Sequence, residues 1–176
     1  MWELDLESFA SVKAFAARVS TDLARLDVVV ENAAIAAVKF EQAERHERTI
    51  TINVINTFLL ALLLLPKLRE TASMKNNNNA KPSIVSSGAH GWTSLPEASE
   101  ENIFGMLDKG DMTECYEVSK LLETFAMREL APRIEYSGMI VNVLDPGFCH
   151  SSLLRNIDSL AVLGSQETHG PVHRGG

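Results

Sequence analysis

The chain predicts an α/β fold, a parallel sheet flanked by helices, and three observations carry that prediction. Three short apolar runs occur, DVVVENAA (27–34), SIVSS (83–87) and GMIVNVLDPG (138–147), the first and last closing on small or polar turn residues. Long stretches with helical spacing of apolar side chains separate them. Near-continuous apolar runs alternating with helices indicate strands buried on both faces of a parallel sheet. In such sheets ligands gather beyond the carboxyl ends of the strands. That rule singles out three turns: ENAAIA, SSGAHGW and DPGFCHSS.

The elements follow in chain order. Between Leu6 and Leu26, apolar residues fall at Phe9, Val12, Phe15, Ala16, Val19 and Leu23, with Lys13, Arg18 and Asp22 on the other side. This is the pattern of an amphipathic helix. Residues 41–72 predict a second helix, polar in EQAERHER and densely apolar from Ile50 to Leu68, with Pro66 marking a kink or a frayed turn. KNNNNAKP (75–82) is a loop by composition, and residues 94–112 are an acidic, irregular excursion over the surface. A helix from about Thr113 to Leu130 carries the stretch TECYEVSK.

At 176 residues the chain suffices for one domain with a real core. Its net charge of −7 gives no support to a nucleic-acid or anionic-membrane partner. Cys115 and Cys149 stand far apart without a CxxC pair, which suits a reduced, cytoplasmic setting. The acidic start MWELDLESF is unlike a signal peptide, and the run FLLALLLLP falls short of the roughly 20 residues that span a bilayer. No membrane span is expected, and the run reads as a buried helix.

Tyr116 and Lys120 stand four apart, so on a helix they share a face. A free tyrosine is too weak an acid for proton transfer near neutrality, with a reference pKa of about 10. A cation held close would favour the phenolate and bring the group into a working range.

Several ordered motifs surround this pair. ENAA (31–34) is similar to an Asn-Asn-Ala-Gly turn, TINVINTFLL carries Asn53, IVSSGAHG supplies a serine, YEVSK the Tyr-x-x-x-Lys pair, and DPGFCHS a Pro-Gly loop. In this order, from about Leu4 to Leu154, the chain resembles the short-chain dehydrogenases/reductases. The resemblance implies a Rossmann-like fold, NADP or NAD as cofactor, and a small-molecule carbonyl/alcohol substrate. It implies that Tyr116 protonates the carbonyl oxygen or removes the alcohol proton, that Lys120 also bonds the nicotinamide ribose, and that Ser87 polarises the carbonyl. Asn53 would hold a water relaying protons from Lys120. Ser86, one residue before Ser87, should face the other way and serve packing.

The resemblance also assigns cofactor contacts. Asp5 and Leu6 would meet the adenine, Asn32 and Ala33 would lie under its ribose, Pro146 and Gly147 would shape the loop over the nicotinamide, and Ser151 would bond the carboxamide. Bland alternatives stand beside these roles: Asp5 as a helix N-cap, Pro146-Gly147 as an ordinary turn, Asn53 as an amide satisfying a bent helix. Members of this family commonly form dimers or tetramers through the two long helices, here residues 41–72 and 113–130, so a homo-oligomer is expected.

Departures from the pattern matter equally. The family's TGxxxGxG turn, whose amides hold the cofactor pyrophosphate, occurs nowhere, and WELDL stands where the family would be entering its third strand. The expectation is therefore a sheet lacking the first βαβ unit, a partial dinucleotide-binding domain over residues 1–155 and an irregular tail over 156–176, as from a truncated or mis-spliced gene product. An absent strand would expose backbone and apolar surface on its neighbours. It would also remove the residues that choose between NAD and NADP. A catalytically inactive fragment that no longer binds dinucleotide is the alternative. The acidic segment before Tyr116 resembles an insertion of retinol-dehydrogenase-like, WW-domain-oxidoreductase-like and protochlorophyllide-reductase-like branches. There Phe104, Met106 and Leu107 would line an apolar pocket for a hydrophobic substrate. A serine hydrolase using Ser87 and His90 is disfavoured because no GxSxG elbow is present.

Overall fold

The computed structural model describes residues 1–74, 80–95, 101–109, 112–134, 138–147 and 149–153. The expected tail over 156–176 lies outside the described residues. Helix α1 (Phe9–Asp22) starts at Ser8, whose side chain accepts from the Ser11 amide, while Glu44 reaches across to accept from the Phe9 amide at 2.8 Å. Asp5 is thus not the cap: its carboxylate accepts from Glu7 in a turn before the helix. Val12, Ala16 and Val19 form the buried stripe of α1, at the 3–4 spacing that the sequence shows.

Strand β1 (Val28–Glu31) follows, then a small antiparallel hairpin of β2 (Gln42–Ala43) and β3 (His46–Glu47). The predicted helix over 41–72 is therefore corrected at its start. EQAERHER turns through Glu44, which adopts a positive φ of 56°, and helical structure begins only at Arg48. Polar residues with no apolar partner face leave such a stretch free to take another form.

From Arg48 the chain runs as α2 (Arg48–Ile50), a π-helical segment (Thr51–Asn56) and α3 (Thr57–Ala72). Joined, they make 25 residues, long and apolar enough to cross a membrane by length and composition, with 61% of the apolar window buried inside the protein. Pro66 lies inside α3 without ending it. It sits on the exposed side, as does Leu62 one turn before, so the carbonyl left without a donor can face water. Thr71 at the end of α3 accepts the Leu26 amide at 2.8 Å and fixes the approach to β1.

Strand β4 (Lys81–Val85) starts two residues earlier than its apolar run, and α4 (Ile103–Leu107), α5 (Cys115–Ile134) and β5 (Asn142–Leu144) complete the order. The sheet is parallel, ordered β1-β4-β5. β5 is shorter than GMIVNVL predicts, and Pro82 explains why. An isolated bridge joins Ala80 to Met139 and the ladder resumes at Ser83 with Asn142, so in that register Val141 stands opposite Pro82, which has no amide to donate.

The expectation that all three strands are buried is also corrected. Only β4, in the middle, is enclosed, whereas Val28 and Val30 on β1 are 54% and 55% exposed and Val143 and Leu144 on β5 are also exposed. An edge strand has one neighbour and so keeps part of its apolar surface open. The main core lies between α1 and α3 against the sheet, built on Val12, Ala16, Val19, Leu60, Leu64 and Leu68.

Candidate active site

The first two turns of α5 carry Tyr116 and Lys120, and Lys120 reaches the carboxyl end of β4 at Val85. The Lys120 ammonium is 5.7 Å from the centroid of the Tyr116 ring. Its Nζ donates to the Val85 carbonyl at 3.0 Å and to Glu123 Oε1 at 2.8 Å. Both members of that ion pair are only 2% exposed. Charges so buried persist because each satisfies the other.

The Ser87 hydroxyl lies close enough to the Tyr116 phenol to favour its ionised form. Its oxygen accepts the Ala89 amide at 3.2 Å, which leaves the Ser87 proton available to donate. Ser86 is buried, with its hydroxyl donating to the Lys120 carbonyl at 3.1 Å, yet it lines the cleft beside Tyr116 and Lys120, whereas Ser87 is not among that cleft's walls. Gly88 follows because the Asp145 carboxylate presses on it: a Cβ there would lie 2.9 Å from Asp145 Oδ2. His90 is turned to the main chain, with Nδ1 2.6 Å from the Ser87 carbonyl, so it does not engage the Ser87 hydroxyl.

The acidity of Tyr116 corrects the simple expectation. Its pKa is raised rather than lowered, first by burial, with the Ser87 hydroxyl working the other way and the charges of Glu123, Glu117 and Asp145 adding to the rise. The lysine's charge is spent on Glu123, so the phenol draws little from it.

Asn53 sits in the π-helical segment, fully buried. Its Oδ1 accepts the Ile35 amide at 3.0 Å, and its Nδ2 donates to the Ile35 carbonyl at 2.9 Å and to Ser119 Oγ at 3.0 Å. Ser119 in turn donates to the Tyr116 carbonyl at 2.7 Å. One amide therefore ties the turn after β1 to the widened helix and to the first turn of α5.

A cleft of about 420 Å³ opens over the strand ends. Asp5, Leu6, Asn32, Ala33, Tyr116, Lys120, Pro146 and Ser151 are among its walls. Gly147 is not among its walls; it has φ +64°, and its amide donates to Asp145 at 3.1 Å, which holds the Pro-Gly loop in a left-handed turn. Phe104 lies elsewhere, tilted against His46 at 5.6 Å and lining a separate apolar groove with Phe58 and Leu62. It is not a wall of the Tyr116 cleft.

Two carboxylates of the site are absent from the sequence-based expectation. Glu123 was legible as a charge three residues beyond Lys120 on the same helical face. Glu31, at the end of β1, gave no such signal. Burial, with Glu123 adding to it, pushes the Glu31 carboxyl up to about 8. Burial raises Glu123 to about 7 against the pull of Lys120. One oxygen of each, Glu31 Oε2 and Glu123 Oε2, is buried with no hydrogen-bond partner.

The family model for short chain dehydrogenases matches residues 1–86. The short chain dehydrogenase/reductase dmxR8 of Cryptosporiopsis sp. is 38% identical over 171 residues, covering 91% of this chain and 52% of its own. The short chain dehydrogenase atnD of Emericella nidulans is 39% identical over 171 residues, covering 93% and 54%. The chain thus spans about half the length of the curated relatives it matches. Among solved structures, the Pseudomonas aeruginosa RhlG/NADP active-site complex superposes with a TM-score of 0.64 at 26% identity, over 92% of this chain and 59% of that one. A short-chain type dehydrogenase/reductase from Mycobacterium marinum gives 0.66 at 17% identity over 93% and 57%, a likeness of fold. With ordered motifs, a parallel sheet and these relatives in agreement, the chain belongs to the short chain dehydrogenase family.

Proposed function

We propose that this chain is a soluble, cytoplasmic, NAD(P)-dependent oxidoreductase that interconverts the carbonyl and alcohol of a hydrophobic small molecule. The observation that carries this reading is the cleft itself: every cofactor position assigned from sequence except Gly147 lines it. Free Cys115 and Cys149 and the largely buried apolar helix support the setting. Ile35, Ile52 and Val85 add apolar wall beside Tyr116, which supports a hydrophobic substrate.

The donor set fits the two nucleoside ends of a dinucleotide. Asp5, Asn32, Lys120 and Ser151 offer polar groups along the cleft, and Ala33 presents only a small side chain to it. No TGxxxGxG turn is available for the phosphates. When bound, the nicotinamide supplies or accepts hydride. The protein's part is proton transfer and orientation: the Ser87 hydroxyl holds the substrate oxygen, Tyr116 gives or takes its proton, and Lys120 stands behind the phenol. Asn53 positions α5 through Ser119, which supports its place in the site.

Titration of the purified chain with NADH and NADPH tests the reading. Saturable binding of either is expected; absence of binding overturns it in favour of an inactive fragment. The same reading extends to a homo-oligomer through α3 and α5. Leu62 on α3 and Phe125 on α5 are 51% and 45% exposed, and an apolar groove runs between the two helices. Leu62→Glu should then leave a monomer by light scattering; an unchanged mass would remove this pairing.

A further inference from the structure

We infer that Glu123 is a positioning residue that holds the charge of Lys120 away from Tyr116 and thereby sets how acidic the phenol is. The inference rests on the reading of Tyr116 and Lys120 as the working pair and concerns a group that pair does not itself include. Three facts carry it. The ammonium and the carboxylate make a 2.8 Å contact, both out of water, so the pair is close to neutral as seen from the phenol. The other hydrogen bond of Lys120 goes to the Val85 carbonyl, a neutral acceptor. The ammonium stands 5.7 Å from the centroid of the Tyr116 ring, near enough for its charge to act on the phenol where Glu123 does not balance it.

The groups around Glu123 fall on each packed element. Lys120 and Tyr116 share its helix, Glu31 approaches from β1, Ser86 stands at the end of β4, and Asp145 adds its charge at Tyr116 from the loop after β5. Glu31 is a like charge, and its closeness favours a proton on one of the two carboxyls. A proton on Glu123 would release the lysine's charge toward the phenol. Glu123 therefore opposes Tyr116 ionisation by cancelling the Lys120 charge that would otherwise favour the phenolate. Burial of the phenol acts in the same direction.

The chain has only two tyrosines, so ultraviolet titration of tyrosinate, with Tyr116→Phe as the blank, isolates the Tyr116 midpoint. Glu123→Gln should lower that midpoint by about one pH unit, roughly a tenfold gain in phenolate below it. In a Lys120→Met background the same change should have markedly less effect. Glu123→Asp, which keeps the charge, should leave the midpoint near that of the parent chain. A midpoint unmoved by Gln, equally moved by Asp, or shifted as far without Lys120 overturns the inference. Dinucleotide binding is read separately. Its loss would overturn the proposed function while leaving the titration intact, and a null titration with binding retained would overturn only the role of Glu123.

Discussion

The two sides of the π-helical segment and α3 are built from opposite materials. Toward α1 the interface is hydrocarbon, with Leu60, Leu64 and Leu68 against Val12, Ala16 and Val19. Toward α5 and the strand ends it is polar yet equally dry: Glu47, Thr49, Thr51, Asn53, Ser119, Lys120 and Glu123 are all buried. The first side gains free energy simply by leaving water. On the second, each group must find a partner, and the Asn53–Ile35 and Lys120–Glu123 contacts supply it. Stability and chemistry are thus assigned to different faces of one helical rod.

Breaking the apolar face should have the largest effect. Leu64→Ala, at a site 2% exposed, should cost about 3 kcal/mol in urea unfolding while leaving the tyrosinate midpoint in place. Tyr116→Phe should do the reverse. Carbonyl reduction by the proposed activity should fall by at least about a hundredfold, and stability by under about 1 kcal/mol.

A gentler probe of the polar face is pH. Glu31 holds its proton up to about 8 in the folded chain against an ordinary value of 4.5. The native state therefore binds more protons than the unfolded one in that interval, and stability should fall as pH rises from about 4.5 through 8. Glu31→Gln should flatten this slope in unfolding measured across the same range. A stability that climbs toward pH 8 would contradict the burial of Glu31. The smallest effect is expected outside both faces: the Arg18–Asp22 pair is half-exposed, so Asp22→Asn should move stability by less than about 0.5 kcal/mol.

Much of this division was legible in sequence, and the misses have definite causes. The α1 stripe reads correctly because apolar spacing of three and four encodes a face directly. That Tyr116 and Lys120 share one helix was legible from the spacing and its surroundings. EQAERHER was misread because its neighbours bias it toward helix, whereas Glu44 takes a left-handed turn and caps α1 from a distance. Strand burial was misread because three valines look the same in a central or an edge strand; only the sheet order separates them. The raised pKa of Tyr116 was out of reach for a similar reason. Sequence places a lysine near the phenol but does not say which acid that lysine already serves.

The widened turn at Thr51–Asn56 has a consequence for engineering. Thr57 closes it with a hydroxyl bond to the carbonyl of Ile52, five residues back, at 2.9 Å. Deleting one residue there would restore ordinary winding and remove the bulge from which Asn53 reaches Ile35. The carboxamide that clasps Ile35 would swing out of line with it, and the anchorage of the first turn of α5 would go too. A single codon removed from the middle of a helix would thus disturb the setting of the residues proposed to handle the proton.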